Sequence, residues 1–289
     1  MAMEWERAMQ PKPEKDAVGS GPDDRETLAE RIRGGDMWKA DLRNAALGGA
    51  DLAEVDFQEA DLSHAVLHGA NLYKADFWRA DLTGALLTEA RLQRAEMMEA
   101  VLADANLSGA DLTGAVLSKA NLQGASLRGA TLKGANLQAA DMAGADLEGA
   151  DLRAADIQRA DLSGASLEGC RLIGADLWRA NLADADLQSA DLTDADLMGA
   201  DLMKAILWRA CLRNADLMAA DLRDAILQDA DLRDASLVGT SLRSTNLRRA
   251  RGLTVKQLSE ARTLLGALLD FDTERRIRAR RPHLLERRV

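Results

Sequence analysis

From Met37 to about Ala250 one five-residue phrase repeats without interruption: a small apolar residue, a polar one, a large apolar one and two further outward positions. Its plainest copies are Ala40-Asp41-Leu42, Ala110-Asp111-Leu112 and Ala230-Asp231-Leu232. With the large residue as position i, 42 centres fall in steps of five from residue 42 to residue 247. Only Phe57, Phe77, Met97, Met142 and Ile157 among them are not leucine, and those five are also large and apolar. Position i−2, from 40 to 250, is alanine except at Val55, Cys170, Thr240 and Thr245.

Neither ordinary element accommodates this period. The alanine and leucine content favours helix by propensity, yet a step of five turns an α-helix by about 140°, so the leucines would form no stripe. In a strand the side chains alternate with a period of two, and a step of five would flip each successive leucine to the other face. A chain that bends once per phrase solves the problem. Positions i−2 and i then point to a common axis, while i−1, i+1 and i+2 face water. Glycine at i+2, as in Gly84, Gly109, Gly124 and Gly149, suits the bend, and backbone groups at i−1 and i+1 can pair with the coils above and below.

The number of phrases per circuit is written in the exceptions. Met37, Phe57, Phe77, Met97 and Ile157 share one column when the chain is folded every twenty residues, and only Met142 lies elsewhere. Four phrases therefore make one coil, with sides centred on Leu42, Leu47, Leu52 and Phe57 and their equivalents; we call them sides 1 to 4. The expected architecture is an all-β solenoid. Its 42 phrases amount to ten and a half coils, a rod about 50 Å long at the ~4.8 Å spacing of neighbouring strands.

Ala-Asp/Asn-Leu-x-x in tandem resembles the pentapeptide repeat proteins, over about three quarters of the chain. The resemblance implies a right-handed quadrilateral β-helix, here of about ten to eleven coils with short helical caps. Function does not follow from it, because members of the family serve different partners.

The flanks divide as follows. Residues 1–22 hold Pro11, Pro13, Gly19, Gly21 and Pro22 among charges and read as a disordered arm. Over 23–35, Asp23 or Asp24 is placed to cap a short helix with Leu28 and Ile32 on one face. A solenoid needs such a cap because its end coils expose core and unpaired strand edges. The rod spans 36–251. Gly252 breaks the phrase, and Thr254-Val-Lys-Gln257 is a capping-box signature. A helical cap is expected over 252–272, with Val255, Leu258, Ala261, Leu265 and Leu268 or Leu269 on its apolar side. Residues 273–289, with seven arginines and two glutamates, read as a solvated, disordered Arg-rich tail.

Charge is unevenly distributed. The chain carries a net −10, of which the rod holds −13 against +5 in residues 251–289 and −2 in 1–35. Sides 1 and 4 carry −6 and −5, sides 2 and 3 only −2 and 0. A candidate acidic face follows on the two neighbouring sides: Asp41, Asp61, Asp81, Asp161, Asp201 and Asp221 on side 1, and Asp156, Asp176, Asp196 and Asp216 on side 4. The resemblance implies one use for it, because in one branch of the family an acidic rod imitates duplex DNA in the saddle of gyrase or topoisomerase IV and so modulates fluoroquinolone action. Duplex DNA carries one charge per ~1.7 Å, whereas eleven charges along a rod of about 50 Å give roughly one per 5 Å. The imitation would be partial, and aspartate at i−1 is also the family's ordinary solvated residue.

A second candidate surface lies in the i+1 column of side 4, where Trp38, Trp78, Met98, Trp178, Met198 and Met218 fall in line, with Val238 beyond. Apolar stripes of this kind mark partner surfaces, although scattered exposed apolar residues are common. Ile206, Trp208 and Ile226 form a patch on the opposite side, for the C-terminal segment or a second subunit to cover. In some relatives the C-terminal end joins two rods into a dimer, so a homodimer is one of the expected partners.

Chemistry has little to work with. His64 and His68 fall on adjacent sides and read as surface histidines; Cys170 takes an inward alanine position, Cys211 an outward one, and two cysteines suit a reducing compartment. No phosphate-binding glycine loop and no nucleophile–histidine–acid set is apparent, and the carboxylates form ladders on a convex surface where small-molecule sites are concave. No catalytic, cofactor or metal residue is assigned. The expectation is a cytoplasmic, non-enzymatic interaction scaffold whose partner is another protein, a type II topoisomerase among the candidates, with neither membrane insertion nor direct nucleic-acid binding.

Overall fold

The computed structural model describes residue 32 and residues 37–286. From Asp41 to Asp231 every i−1 residue forms a parallel bridge to the residue twenty positions on, from Asp41–Asp61 to Asp231–Arg251. The circuit is therefore four phrases, and each phrase is one side. Positions i−2 and i are buried along the whole rod: Leu62, Ala65, Leu67 and Ala70, one half-circuit, are all fully excluded from water. On side 4 the rings of Phe57 and Phe77 stack with centroids 5.1 Å apart and planes 7° from parallel.

The backbone hydrogen bonds show why the phrase is five residues long. Around Leu62, the Leu62 amide donates to Asp81 O (2.7 Å) and the His64 amide to Thr83 O (2.8 Å), both one coil ahead. The Val66 amide donates to Ala45 O (2.8 Å), one coil back, and the Ala65 amide closes the bend onto Leu62 O (2.9 Å). Four of the five amides are thus used by backbone. The fifth, at i+1, is not paired to a neighbouring coil as expected; the Ser63 N–H donates instead to Asp61 Oδ1 (3.0 Å). Aspartate or asparagine at i−1 supplies the acceptor that the backbone lacks. Residue i+2 is left-handed in every phrase, with Gly149 at φ 68° and non-glycines such as Ala154 (54°) and Arg179 (55°) held there too.

Three of the four i−2 exceptions share one explanation. Cys170 Sγ, Thr240 Oγ1 and Thr245 Oγ1 donate to the centre carbonyls Leu147 O, Leu217 O and Leu222 O at 2.7–2.8 Å. A small side chain with one donor fits the alanine site without an unsatisfied group.

At the C-terminal end the structure differs from expectation. The capping box is present, with the Gln257 amide donating to Thr254 Oγ1, but helix α1 covers only Val255–Glu260. It occupies one side of a coil, with Leu258 buried over the core. The phrase then resumes two residues out of step: Thr263 bridges Ser241, Leu268 bridges Asn246, and Leu264 and Leu269 fill centre positions. Leu265 therefore lies on no helix. The stretch read as a disordered tail also contains structure. Helix α2, Phe271–Arg280, has Asp272 and Glu274 in its first turn and Arg278 and Arg280 in its last, the order that complements the helix dipole. Ile277 and Leu284, the latter in a 3-10 turn over Pro282–Leu284, are buried, and the Leu264 amide donates to Leu284 O at 2.8 Å. The arm of 1–22 and the tail end from 287 lie outside the described residues. So does the helix expected over 23–35, except for Ile32, which is helical and packs into the core.

Candidate interaction surfaces

The outward side chains of the rod are set by the bridge ladder, which stacks equivalent residues of successive coils. Side 4 stacks Asp156, Asp176, Asp196 and Asp216 in one unbroken run, and side 1 stacks Asp41, Asp61 and Asp81, then Asp161, Asn181, Asp201 and Asp221. The ten aspartates of the candidate acidic face thus fall on two neighbouring columns. All are half-buried. One oxygen of most is committed to the i+1 amide, as with Trp78–Asp76, Trp178–Asp176, Met198–Asp196 and Met218–Asp216 at 2.8–3.0 Å. The other oxygen often takes a glutamine from the coil below, as Gln138 with Asp156 and Gln158 with Asp176.

Where arginine is available, it neutralises the ladder further. The Arg43 guanidinium donates to Asp41 at 2.6 Å, and this bond, with the Arg43 amide, holds the Asp41 carboxyl down at about 2. Asp151 and Asp231 are held below the usual carboxylate range chiefly by Arg153 and Arg233. For Asp161 burial pushes the other way, but the Ser163 hydroxyl and amide and the Asn181 amide outweigh it.

The tryptophan column differs from the bare stripe expected. Arg79 lies over the Trp78 ring at 4.4 Å and Lys39 over Trp38 at 4.3 Å. Trp178 lies beneath both Arg159 (4.8 Å) and Arg179 (4.6 Å). The basic residue at i+2, turned back by its left-handed backbone, covers the indole through a cation–π contact. Two apolar patches remain: Trp78 with Met98, and Trp178, Met198, Met218 and Val238 in adjacent coils. Met98, Met218 and Val238 are 38%, 37% and 41% exposed. Gln58 separates Trp38 from the first patch, and Gln138 and Gln158 fall between the two.

Of the other features, Cys211 is half-buried and accepts from Arg213 Nε at 3.3 Å, and both cysteines are free. His68 Nδ1 lies 2.7 Å from Thr88 Oγ1. Among the described residues no histidine, cysteine, aspartate and glutamate group could hold a metal, and no helix is long and apolar enough to cross a membrane. Two grooves, of about 410 and 510 Å³, lie at the C-terminal cap, the first along α2 beside Phe271 and Arg278, the second between α1 and Arg280. Phe271 is 79% exposed, and the sequence marks it only faintly. Its only signal is a phenylalanine beside a helix start.

Comparison with known proteins adds the following. The family model described as pentapeptide repeats matches eight overlapping stretches, from residues 40–79 to 215–251. The solved structure of HetL, a pentapeptide repeat protein involved in heterocyst differentiation regulation from the cyanobacterium Nostoc sp. strain PCC 7120, aligns with 30% identity and a TM-score of 0.67. The alignment covers 88% of this chain and all of HetL. Full-length QnrB1, a plasmid-mediated fluoroquinolone resistance protein, aligns at 19% identity and a TM-score of 0.48, over 68% of this chain and 96% of its own. No curated protein sequence matches the chain.

Proposed function

The chain belongs to the pentapeptide repeat family, with the right-handed quadrilateral β-helix as its fold, and on that footing we propose that it is a non-catalytic scaffold that binds another protein along side 4. The observation that carries this reading is the run Trp178, Met198, Met218 and Val238, a continuous apolar patch over four successive coils, with Met218 and Val238 well exposed. Methionine and tryptophan are favoured at partner surfaces, and the arginines over Trp178 can swing aside while keeping their charge at the rim. A rod whose outward positions are held by backbone bonds between coils and by the aspartate–amide contacts presents such a patch at little ordering cost. The likeness to HetL, a protein involved in regulation, fits a role without chemistry. The test is a cross-linking capture with the wild type and with a Trp178→Gln/Met218→Gln variant of unchanged circular dichroism. Loss of the captured protein from the variant supports the reading; equal capture by both overturns it.

The stacked aspartates of sides 1 and 4 favour a second reading, a DNA-imitating modulator of a type II topoisomerase. The run from Asp156 to Asp216 on side 4 is unbroken, but the half-burial of the carboxylates and their engagement by amides, glutamines and arginines lower the charge offered to a partner. Titration into a gyrase supercoiling assay tests it. Inhibition lost on Asp176→Lys/Asp196→Lys but retained after equal changes on side 3 would establish the imitation; no effect at any protein concentration would remove it.

A further inference from the structure

Side 2 carries a pattern that no single rod needs. Between Ala46 and Asn246 its i−1 ladder runs Val66, Leu86, Asn106, Ser126, Asp146, Ser166, Asp186, Ile206, Ile226, each bridged to the next. It is apolar at both ends and polar between. Val66, Leu86 and Ile226 are 37%, 44% and 39% exposed, large values for positions that are elsewhere mostly aspartate or asparagine. The C-terminal segment does not cover the far end but runs beyond it, with Asn246 as the next rung and Leu268, 42% exposed, after that.

We propose that side 2 is the interface of an antiparallel dimer, its occupant a second copy of the chain turned about a two-fold axis level with Asp146. A two-fold interface must be self-complementary, residue i meeting j wherever j meets i, and the ladder from Val66 to Ile226 meets that condition. Turning the rod end for end about the Asp146 coil sets Val66 against Ile226 and Leu86 against Ile206, so the exposed apolar residues cover one another. In the i+1 column it sets Arg128 against Glu168, and in the i+2 column Glu89 against Arg209. Both are opposite charges, and each pair occurs twice per dimer. Among the described residues Glu89 has no salt-bridge partner, while Arg209 lies over the Trp208 ring at 4.1 Å and near Asp229, and all four charged side chains are exposed. Only the coil on the axis sets like charges against each other, and there Arg128 already bridges Asp146 (3.0 Å) and Glu148 (2.5 Å).

Shape agrees with charge. The i+2 corner of side 2 is glycine in four consecutive coils, Gly109, Gly129, Gly149 and Gly169, so the middle of the face is bare where a second rod comes closest. The same rotation applied to side 4 brings Asp76 against Asp216 and Glu96 against Asp196, carboxylate on carboxylate. A side about 48 Å long and about 13 Å wide buries roughly 1,200 Å² over both copies, the lower end of what a specific interface needs. Side 4 stays free on the outer surface of both rods.

Sedimentation velocity of the full chain over a wide concentration range is the test. The wild type is expected at twice its 31.2 kDa. Leu86→Asp, which restores the commonest i−1 residue and so keeps the fold, is expected to sediment as a monomer. Glu89→Arg and Arg209→Glu each set like charges opposite one another twice, and each is expected to weaken dimerisation by roughly a hundredfold or more. The double variant Glu89→Arg/Arg209→Glu reinstates both pairs with the signs exchanged and is expected to dimerise again. A monomeric wild type, or a dimer indifferent to Leu86→Asp and to the single reversals, overturns the proposal. So does a double variant no better than the singles while its circular dichroism and melting point match the wild type.

Discussion

Asp61 Oδ1 accepts both the backbone N–H of Ser63 at 3.0 Å and the Ser63 hydroxyl at 2.6 Å, and through this contact the polar residue of each phrase becomes part of the fold. A carboxylate at i−1 looks like a solvated surface charge. It is in fact the acceptor for the one amide per phrase that neither neighbouring coil reaches.

Replacing such a residue by alanine should therefore be costly where asparagine is harmless. Asp161 accepts the Ser163 amide at 2.8 Å and the Asn181 side-chain amide at 3.0 Å. Asp161→Ala leaves both donors without their partner and is expected to destabilise the rod by about 1–2 kcal/mol, the usual penalty for partly buried orphaned groups. Asp161→Asn keeps an acceptor oxygen and is expected to lose less than half of that. Denaturant midpoints of the two variants, compared with wild type, decide it.

The left-handed corner gives a second expectation, and here the sign depends on the residue already present. Ala154 stands at φ 54°, a conformation that disfavours a Cβ by about 1 kcal/mol, so Ala154→Gly is expected to raise stability by roughly 0.5–1 kcal/mol. The unfolded glycine's extra freedom reduces the gain. Gly149 stands at φ 68° with open space where a Cβ would go. Gly149→Ala is therefore expected to cost about 1 kcal/mol through backbone strain alone. Opposite shifts in melting temperature for the two variants would establish the point; shifts of the same sign would refute it.

How far the sequence could be read depended on whether a feature repeats. The bend, the four sides and the inward alanine and leucine columns are stated forty-two times over, and the period of five leaves one geometry for them. Aspartate or asparagine recurs at i−1 in most phrases, but the amide it serves becomes visible only once the other four are placed. At the C-terminal end the signal occurs once. Gly266-Ala267-x-Leu269 is in the phrase's own order, yet the two-residue slip introduced by α1 takes it out of the twenty-residue register. The order of acids and arginines along Phe271–Arg280 specifies a helix, but only the buried site for Ile277 fixes it to the rod. Trp78 and Trp178 could be placed on one column from sequence. That Arg79 and Arg179 fold back over them follows from the left-handed turn of i+2, which the pattern of glycines hinted at and the non-glycines obscured.

The two cysteines should separate cleanly by reactivity. Cys170 is buried, donates to Leu147 O at 2.8 Å, and has its thiol pushed up to about 12 by burial. A thiol in that state offers almost no thiolate at neutral pH. Cys211 is half-buried at an outward position. A disulfide reagent such as Ellman's is expected to modify one thiol per native chain and two after denaturation. Mapping of the native adduct should place it on Cys211, and Cys211→Ser should leave the native rod unreactive.

Acid should loosen the rod, and the direction follows from the aspartates that arginine engages. The Arg43 guanidinium and amide hold Asp41 at about 2, below its ordinary 3.8, while Arg153 and Arg233 lower Asp151 and Asp231. A carboxyl whose pKa is lower in the folded chain than in the unfolded one stabilises the fold above the unfolded value. As pH falls from about 4 the unfolded chain takes up these protons first, and the contribution is progressively lost until the folded pKa is passed, near 2 for Asp41. The melting temperature is therefore expected to stay level between neutrality and about pH 5 on account of these groups, then to fall steadily toward pH 2. Asp151→Asn retains an acceptor for the Arg153 amide while removing the charge, so it should melt lower than wild type at neutral pH and lose less on acidification. If the two melting curves instead ran parallel from pH 7 to pH 2, the Arg153–Asp151 pair would have no part in the acid response.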